Sequence, residues 1–296
     1  MLDVVIALLP ALGVGVFMLG LRALLVTAVC VVCAVGAEWL YSLVTRTRNT
    51  IIDGSALVTG VLLAFVCPVT IPYWCIIIGD FFAIVVVKML FGGIGTNIVN
   101  PALAARAFMF SWPALMTNWV KPGFSNAAGI FSTVDAVTAA TPLAAMSLGQ
   151  MPEATVGQMF MGSIGGCIGE TSAALLLVGL IYLLIRKVIS WQIPVAYIAT
   201  VAVVSLISAP AGIGAVDYML YSIFGGGLML GAIFMATDYA TSPVTKPGQL
   251  VFGLGCGLLT VFIRRFGSYP EGVCYSILVM NCCTWLLDKY IKPTIY

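Results

Sequence analysis

Long apolar runs separated by short polar turns limit how this chain can fold. Of its 296 residues, 61% are hydrophobic and 8% are charged, and a water-soluble core could not bury so much apolar surface. Runs of about 20 apolar residues are long enough to cross a bilayer as α-helices. The sequence therefore predicts an all-α, polytopic membrane protein with about ten transmembrane helices. These spans cover approximately residues 3–20, 23–44, 54–69, 72–91, 100–117, 162–185, 192–209, 219–236, 247–264 and 271–288.

A loop of about 45 residues separates the fifth span from the sixth, and loops of that length are usually functional or disordered. This one carries too many apolar side chains for disorder. Within it, Thr138 and Thr141 are flanked by alanines that leave their hydroxyl groups open to modification. The loop divides the chain into a first membrane unit at 1–117, the loop itself at 118–161 and a second membrane unit at 162–296.

The composition excludes several function classes. Histidine is absent from the sequence, which removes the commonest ligand of haem and zinc. The nine cysteines lie mostly within apolar runs, and the Cys-x-x-Cys pair of Cys30 and Cys33 has no second pair nearby to complete four ligands. We interpret the cysteines as small buried hydrophobes, so redox chemistry would need an organic cofactor or thiolates. A net charge of +2 without basic clusters argues against nucleic acid as a partner.

The segment Asp135-x-x-Thr138-Ala139-Ala140-Thr141 is similar to the pattern Asp-x-x-(Ser/Thr)-Gly-Ala-Thr, with alanine at the glycine position. Flavin transferases attach FMN through a phosphoester to the last threonine of that pattern. The pattern occurs in membrane subunits of the Rnf complex and of the Na⁺-pumping NADH:quinone reductase. A threonine cluster before a proline is a weak signal alone, because such turns are common. Three further stretches resemble the same family: residues 53–60, 97–108 and 235–238. Within the family, the D subunits of Rnf match this chain best in length.

The resemblance implies a membrane electron-transfer subunit of an ion-translocating ferredoxin:NAD⁺ oxidoreductase, coupled to Na⁺ or H⁺ movement and not catalytic alone. It implies covalent FMN on Thr141, with Asp135 and Thr138 as parts of the transferase motif. The implied partners are the A, B, C, E and G subunits of Rnf, especially the FMN-bearing G subunit, together with membrane lipid. The implied location is the bacterial cytoplasmic membrane.

Two asparagines open the fifth span after a glycine-rich break. A neutral amide can hydrogen bond a flavin without the cost of burying a charge, and the resemblance implies that Asn97 and Asn100 line a second, non-covalent riboflavin. Asn100 also stands where a helix N-cap is expected before Pro101, and this alternative stays open. Arg106 belongs to the same predicted helix, where its guanidinium could bind an anion such as a phosphate or pair with an aspartate.

The two halves of the chain echo each other. Residues 54–68 resemble residues 226–243, and the segment that starts at Lys88 resembles the one that starts at Arg264. Five spans per half is an odd number, so the second copy would be inverted in the membrane, as in many transporter folds. The family resemblance implies the same architecture, a urea-transporter-like fold of two inverted five-helix repeats. Chance glycine matches between apolar helices remain the alternative.

Basic residues in the short loops predict the orientation. With the N-terminus in the cytoplasm, eight lie inside and four outside, so both termini are predicted to be cytoplasmic and the loop with Thr141 extracytoplasmic. The adjacent arginines at 264 and 265 do not fit this charge distribution, because they lie outside. Two explanations are open: the chain re-enters the bilayer there, or the arginines cap a helix C-terminus. The residues inside are Arg46, Arg48, Lys88, Arg186, Lys187, Lys246, Lys289 and Lys292, and those outside are Arg22, Lys121, Arg264 and Arg265.

Two other function classes fit the same spans. A small-solute channel or transporter would share the inverted repeat and would need no flavin. A purely structural subunit would show neither flavin nor transport. Fluorescence of the denatured chain in a gel separates both from a subunit with covalent FMN.

Overall fold

The computed structural model describes residues 1–47, 50–120, 141–147, 151–152, 154–162, 164–210, 213–267 and 272–292. Within these ranges every regular element is a helix, which confirms the predicted all-α class. Thr141 lies inside the described residues, whereas Asp135 and Thr138 lie outside them.

The first half contains a π-helix that continues the fourth α-helix without a break. In the described part of this half the elements are α1 (Leu2–Leu19), α2 (Leu21–Thr45), a 3-10 turn (Ile51–Asp53), α3 (Ser55–Phe65), α4 (Tyr73–Phe81), the first π-helix (Phe82–Met89), α5 (Pro101–Met109) and α6 (Pro113–Met116).

The second half also contains a π-helix, which here follows a very short α-helix. Its described elements are α7 (Pro142–Ser147), α8 (Val156–Met161), a 3-10 turn (Ile168–Glu170), α9 (Ala173–Ile185), α10 (Gln192–Ile207), α11 (Ala215–Phe224), α12 (Leu228–Leu230), the second π-helix (Gly231–Met235), α13 (Lys246–Phe266) and α14 (Val273–Tyr290).

Three helices, α1, α2 and α13, are long and apolar enough to cross a membrane. A fourth span results if α11 and the segment Leu228–Met235, which are bent by 59° at their break, form one crossing. Helices α3, α9 and α10 are apolar but shorter. These helices support a multi-pass membrane protein.

Two further predicted spans are interrupted in the structure. In the span at 100–117, α5 ends at Met109 and a new helix begins at Pro113, because proline lacks the N–H that a continuing helix needs. In the span at 162–185, α9 begins only at Ala173, where the Ser172 side chain accepts a hydrogen bond from the Leu175 N–H. Apolar run length alone does not reveal such breaks.

Two short helices begin directly after a glycine in the left-handed region. Gly54 has φ 70° and ψ 9° before α3, and Gly227 has φ 66° and ψ 13° before α12. A residue other than glycine rarely adopts this backbone conformation. Each glycine therefore allows the chain to turn sharply into a half-length helix.

Helix α2 packs against both α3 and α4. Its buried face carries polar as well as apolar side chains. The backbones of α2 and α3 come close at Gly60 of α3, where a Cβ atom would lie 2.9 Å from the Cys30 carbonyl oxygen and 2.9 Å from the Val31 Cα atom of α2. The residues of α2 that are buried are Arg22, Ala23, Val26, Thr27, Cys30, Ala34, Glu38 and Ser42.

We expect Gly60→Ala to destabilise the protein by about 1–3 kcal/mol, because α2 and α3 must separate to admit the methyl group. Thermal unfolding in detergent measures the loss. Gly13→Ala is the matched control, since no atom lies within 4 Å of a Cβ at that position of α1. Equal stability of the two variants would show that α2 and α3 do not pack this closely.

The two adjacent arginines near the end of α13 cap helix C-termini. Arg264 donates from Nη1 to the Ser222 carbonyl at 2.5 Å and from Nη2 to the Gly225 carbonyl at 3.1 Å, both at the end of α11. Arg265 donates to the carbonyl of Ser208, which follows α10. Guanidinium groups stabilise carbonyls that have no partner within the helix. The capping interpretation of these arginines is therefore confirmed.

Candidate functional site

A cavity of about 490 Å³ lies where the three sequence stretches at 53–60, 97–108 and 235–238 meet. Its wall also includes Met1 and side chains of the first π-helix, α9 and α14. Helix packing thus joins segments that lie far apart in the sequence. The three stretches contribute Ser55, Val58, Thr59, Asn97, Asn100, Pro101, Ala102, Thr237 and Asp238.

Asn100 is buried and holds the start of α5. Its Oδ1 accepts hydrogen bonds from the N–H groups of Ala102 at 3.0 Å and Leu103 at 3.3 Å. Its Nδ2 donates to the Met235 carbonyl at 3.3 Å, which ties α5 to the end of the second π-helix. The side chain therefore has the N-cap role that the sequence left open, and both ends of its amide are engaged.

Asn97 lines the same cavity and is half-buried. Its Oδ1 is shielded from solvent and has no hydrogen-bond partner among the residues that the structure describes. An acceptor buried in this way costs about 1–3 kcal/mol unless a donor reaches it. Asn97 is thus the asparagine of the pair that offers a polar atom to a ligand or to water.

Helix α14 fixes the opposite wall of the cavity. With its amide oriented to satisfy both neighbours, Asn281 donates to the Thr241 carbonyl at 3.2 Å and accepts from the Asn100 N–H at 3.1 Å. Thr284 donates to the same Thr241 carbonyl at 2.9 Å, and the Asp288 carboxylate accepts from the Val244 N–H at 3.1 Å. These bonds hold the segment after the second π-helix in place.

A buried ion pair lies beside the cavity. Lys88 of the first π-helix is 1% exposed, and its Nζ lies 3.0 Å from Oε2 of Glu38 in α2. The same ammonium donates to the Ser55 hydroxyl at 2.6 Å, and Thr50 donates to the other Glu38 oxygen. The sequence places Lys88 within the span at 72–91, towards its cytoplasmic end, and in the structure the residue lies in a helix and on the cavity wall.

Asp238 adds an acidic group to the wall. Its Oδ2 accepts a hydrogen bond from the Thr241 hydroxyl at 3.3 Å. Burial raises the pKa of Asp238, and hydrogen bonds from the Ala240 backbone and the Thr241 side chain oppose that rise. The cavity thus has a cation on one wall and an acid on another.

Arg106 does not line the cavity, although it shares α5 with Asn100. Its Nη2 lies 3.5 Å from the Cys167 Sγ, and its guanidinium stacks 5.6 Å from the centre of the Phe110 ring. The Cys167 thiol donates to the Val66 carbonyl at the end of α3. Arg106 therefore belongs to the contact between α5, α3 and the segment before α9, away from the two asparagines.

Thr141 stands at the start of α7 and is half-buried. Its Oγ1 accepts a hydrogen bond from the Ala144 N–H at 3.3 Å, and its carbonyl accepts from the Ala145 N–H at 3.2 Å. Helix α7 packs against α11. The residue is a helix N-cap outside the cavity, with its side chain near the protein surface.

Comparison with known proteins places the chain in a family. The model of the NQR2, RnfD, RnfE family matches residues 1–296, the whole of the sequence. The chain belongs to this family. The resemblance that the sequence motifs indicated is thereby confirmed.

Members of the NQR2, RnfD, RnfE family from several bacteria align over nearly the full chain. A relative from Acetobacterium woodii, the D subunit of a Na⁺-translocating ferredoxin:NAD⁺ oxidoreductase complex, is 46% identical and covers 100% of this chain and 89% of its own. The D subunit of the proton-translocating ferredoxin:NAD⁺ oxidoreductase complex of Clostridium ljungdahlii is 45% identical, and the alignment covers 99% of this chain and 89% of the relative. The D subunit of the ion-translocating oxidoreductase complex of Stutzerimonas stutzeri is 36% identical, and the alignment covers 100% of this chain and 91% of the relative.

Proposed function

We propose that this chain is a membrane electron-transfer subunit of an ion-translocating ferredoxin:NAD⁺ oxidoreductase. The observation that carries the proposal is its 46% identity, over the whole chain, to the D subunit of such a complex. The proposed partners are the A, B, C, E and G subunits of Rnf, with the FMN-bearing G subunit as the neighbour that exchanges electrons with it. Two relatives of almost equal identity are named for different ions, Na⁺ and protons, so overall identity does not select the coupling ion.

The proposed electron route uses two flavins. FMN is esterified to Thr141 on the extracytoplasmic side, and riboflavin binds without a covalent bond in the cavity. A second carrier is needed because the hydrocarbon layer between the two sides is about 30 Å thick. The flavins supply the redox chemistry, and the protein sets their position and their shielding from water. The half-buried position of Thr141 at the start of a short helix supports attachment there, since its neighbours do not cover the residue completely.

The cavity suits a neutral polar ligand of the size of riboflavin. Its volume of about 490 Å³ lies within the range of about 300–1,000 Å³ that is typical of small-molecule sites. Asn97 offers a carbonyl oxygen without a partner among the described residues, which suits a ring N–H or a hydroxyl of the ligand. Asn100 supports the site indirectly, because its side chain holds the start of the helix that follows Asn97.

Asn97→Leu should lower the non-covalent riboflavin extracted per chain, while FMN on Thr141 persists. Replacing both asparagines should do the same, but loss of the Asn100 cap also costs about 0.5–2 kcal/mol. The single variant is therefore the sharper test, measured by acid extraction of the purified chain. Asn100→Ser is the control, since serine retains a capping oxygen and leaves Asn97 in place. Equal riboflavin from Asn97→Leu and the unaltered chain, or none from either, would exclude the cavity as the flavin site.

We further propose that the chain forms ten spans in two inverted repeats. The similar conformations of Gly54 and Gly227, each followed by a half-length helix, support this arrangement. Half-helices that meet near the middle of a membrane are typical of inverted-repeat proteins with a midplane site.

Both termini are proposed to be cytoplasmic, with the loop around Thr141 outside. The capping contacts of Arg264 and Arg265 support this orientation, because they give a structural reason for two basic residues on the extracytoplasmic side. We expect a cysteine introduced at position 126, which lies outside the described residues, to react with an impermeant thiol reagent in intact cells. The native cysteines of the protein are replaced beforehand. A cysteine at the exposed Lys187 position between α9 and α10 should react only after the membrane is opened. The opposite pattern would reverse the orientation.

A further inference from the structure

Asp80 is a carboxyl group in the interior of the first half of the protein. It occupies the penultimate position of α4, immediately before the first π-helix, and it is 0% exposed. Among the described residues, neither Oδ1 nor Oδ2 has a hydrogen-bond partner. A charged carboxylate without a partner is costly inside a membrane protein, and such residues are functional by default.

The neighbours of Asp80 do not compensate for a negative charge. The polar group that acts on it is the thiol of Cys30 in α2, and an S–H group is a weak donor. The thiols of Cys33 and of Cys67, which follows α3, also lie within electrostatic reach. Thiols of this kind can shield the carboxyl group from water, but they cannot balance its charge.

The nearest cation along the same helix is already paired. Asp80 and Lys88 are eight residues apart and share one face of the helical segment, and Cys30 and Glu38 have the same spacing in α2. The Lys88–Glu38 bond and the Asp80–Cys30 contact thus form two levels of one helix interface, about 12 Å apart along α2 at 1.5 Å per residue. Glu38 and Ser55 engage the Lys88 ammonium, so this ammonium does not serve as the counter-ion of Asp80.

Two ways exist to remove the charge of such a carboxylate: protonation, or coordination of a metal cation. Hard cations such as Na⁺ or Ca²⁺ need several oxygen ligands, and the described residues contain no group of three or more Asp, Glu, Cys or His side chains that could hold a metal ion. A proton needs no further ligand. We propose that Asp80 is a proton-binding site inside the membrane domain, which holds its proton at neutral pH.

This site goes beyond the proposed electron transfer. Along α2, Asp80 lies about 12 Å from the Glu38–Lys88 pair, and the lysine of that pair lines the cavity. A proton on Asp80 can leave when water or another base reaches the carboxyl group between α2 and α4. The site is neutral at rest and requires no flavin, so its test is independent of the flavin assignments.

Infrared spectroscopy of the full chain in membranes at neutral pH tests the proposal. A protonated carboxylic acid has a C=O stretch separate from the carboxylate bands, and ¹³C labelling of the aspartate carboxyl groups shifts it. We expect this band in the unaltered chain, its loss in Asp80→Asn and its retention in Asp217→Asn, which removes an exposed aspartate. Absence of the band from the unaltered chain, or an unchanged band in Asp80→Asn, would overturn the proposal.

Spectra recorded in salts of different cations distinguish a proton bound to Asp80 from a metal ion bound there. Spectra in sodium and in choline salts should have the same band if Asp80 binds a proton. Loss of the band when sodium is added would show that a metal cation replaces the proton, and would overturn the assignment. Asp80→Glu covers the case in which the asparagine variant does not fold, because the band should then move rather than disappear.

Discussion

Thr141→Ala should remove the covalent flavin completely. The denatured chain should lose its flavin fluorescence in a gel, and its intact mass should equal that of the polypeptide alone. The reason is that a phosphoester needs the Oγ1 atom, which this substitution deletes. Insertion into the membrane should persist, because the lost hydrogen bond to the Ala144 N–H is a helix cap worth only about 0.5–2 kcal/mol.

Thr155→Ala is the matched control for this experiment. Thr155 also caps a short helix in the same loop, and its hydroxyl accepts a hydrogen bond from the Gln158 N–H at 3.3 Å, the same distance as in the Thr141 cap. It should keep the flavin. Thr138→Ala should reduce attachment without abolishing it, since it alters the transferase motif and not the attachment point. Flavin that persists in Thr141→Ala would place the ester elsewhere, and an unaltered chain without flavin would favour the channel or structural alternatives.

Lys88→Met should destabilise the protein by about 3–5 kcal/mol, because removal of one partner leaves a buried charge without compensation. The affected partner is Glu38, which is 0% exposed. Unfolding of the purified chain in detergent, followed by tryptophan fluorescence, measures the change. The double variant Lys88→Met with Glu38→Leu should recover most of the lost stability, since replacing a whole buried pair by apolar residues is often neutral.

The pair between Asp3 and Arg186 is the control for burial. Its atoms lie 3.2 Å apart, but its side chains are 28% and 59% exposed. Arg186→Met should therefore cost only about 0–1 kcal/mol. A Lys88→Met variant no less stable than Arg186→Met would contradict the enclosed position of the Glu38–Lys88 pair.

Features that depend on short stretches of chain could be predicted from the amino-acid sequence. Run length and composition predicted an all-α membrane protein, because helices satisfy their own backbone groups in lipid. Local chemistry also indicated Asn100 as the cap before Pro101, a role that needs only two N–H groups that follow it closely. The family resemblance rests likewise on contiguous motifs, and the match over residues 1–296 confirms it.

Which of these residues meet depends on how the helices pack. Asn100 bonds the Met235 carbonyl 135 residues away, and Lys88 pairs with Glu38 across 50 residues. Run length placed Lys88 in a span without indicating its partner and did not separate Arg106 from the asparagines, because apolar runs carry no information on how helices rotate against each other. The shielded acceptor of Asn97, the enclosed ion pair and the buried carboxyl group of Asp80 follow from that packing, since burial depends on neighbours that are distant in the sequence.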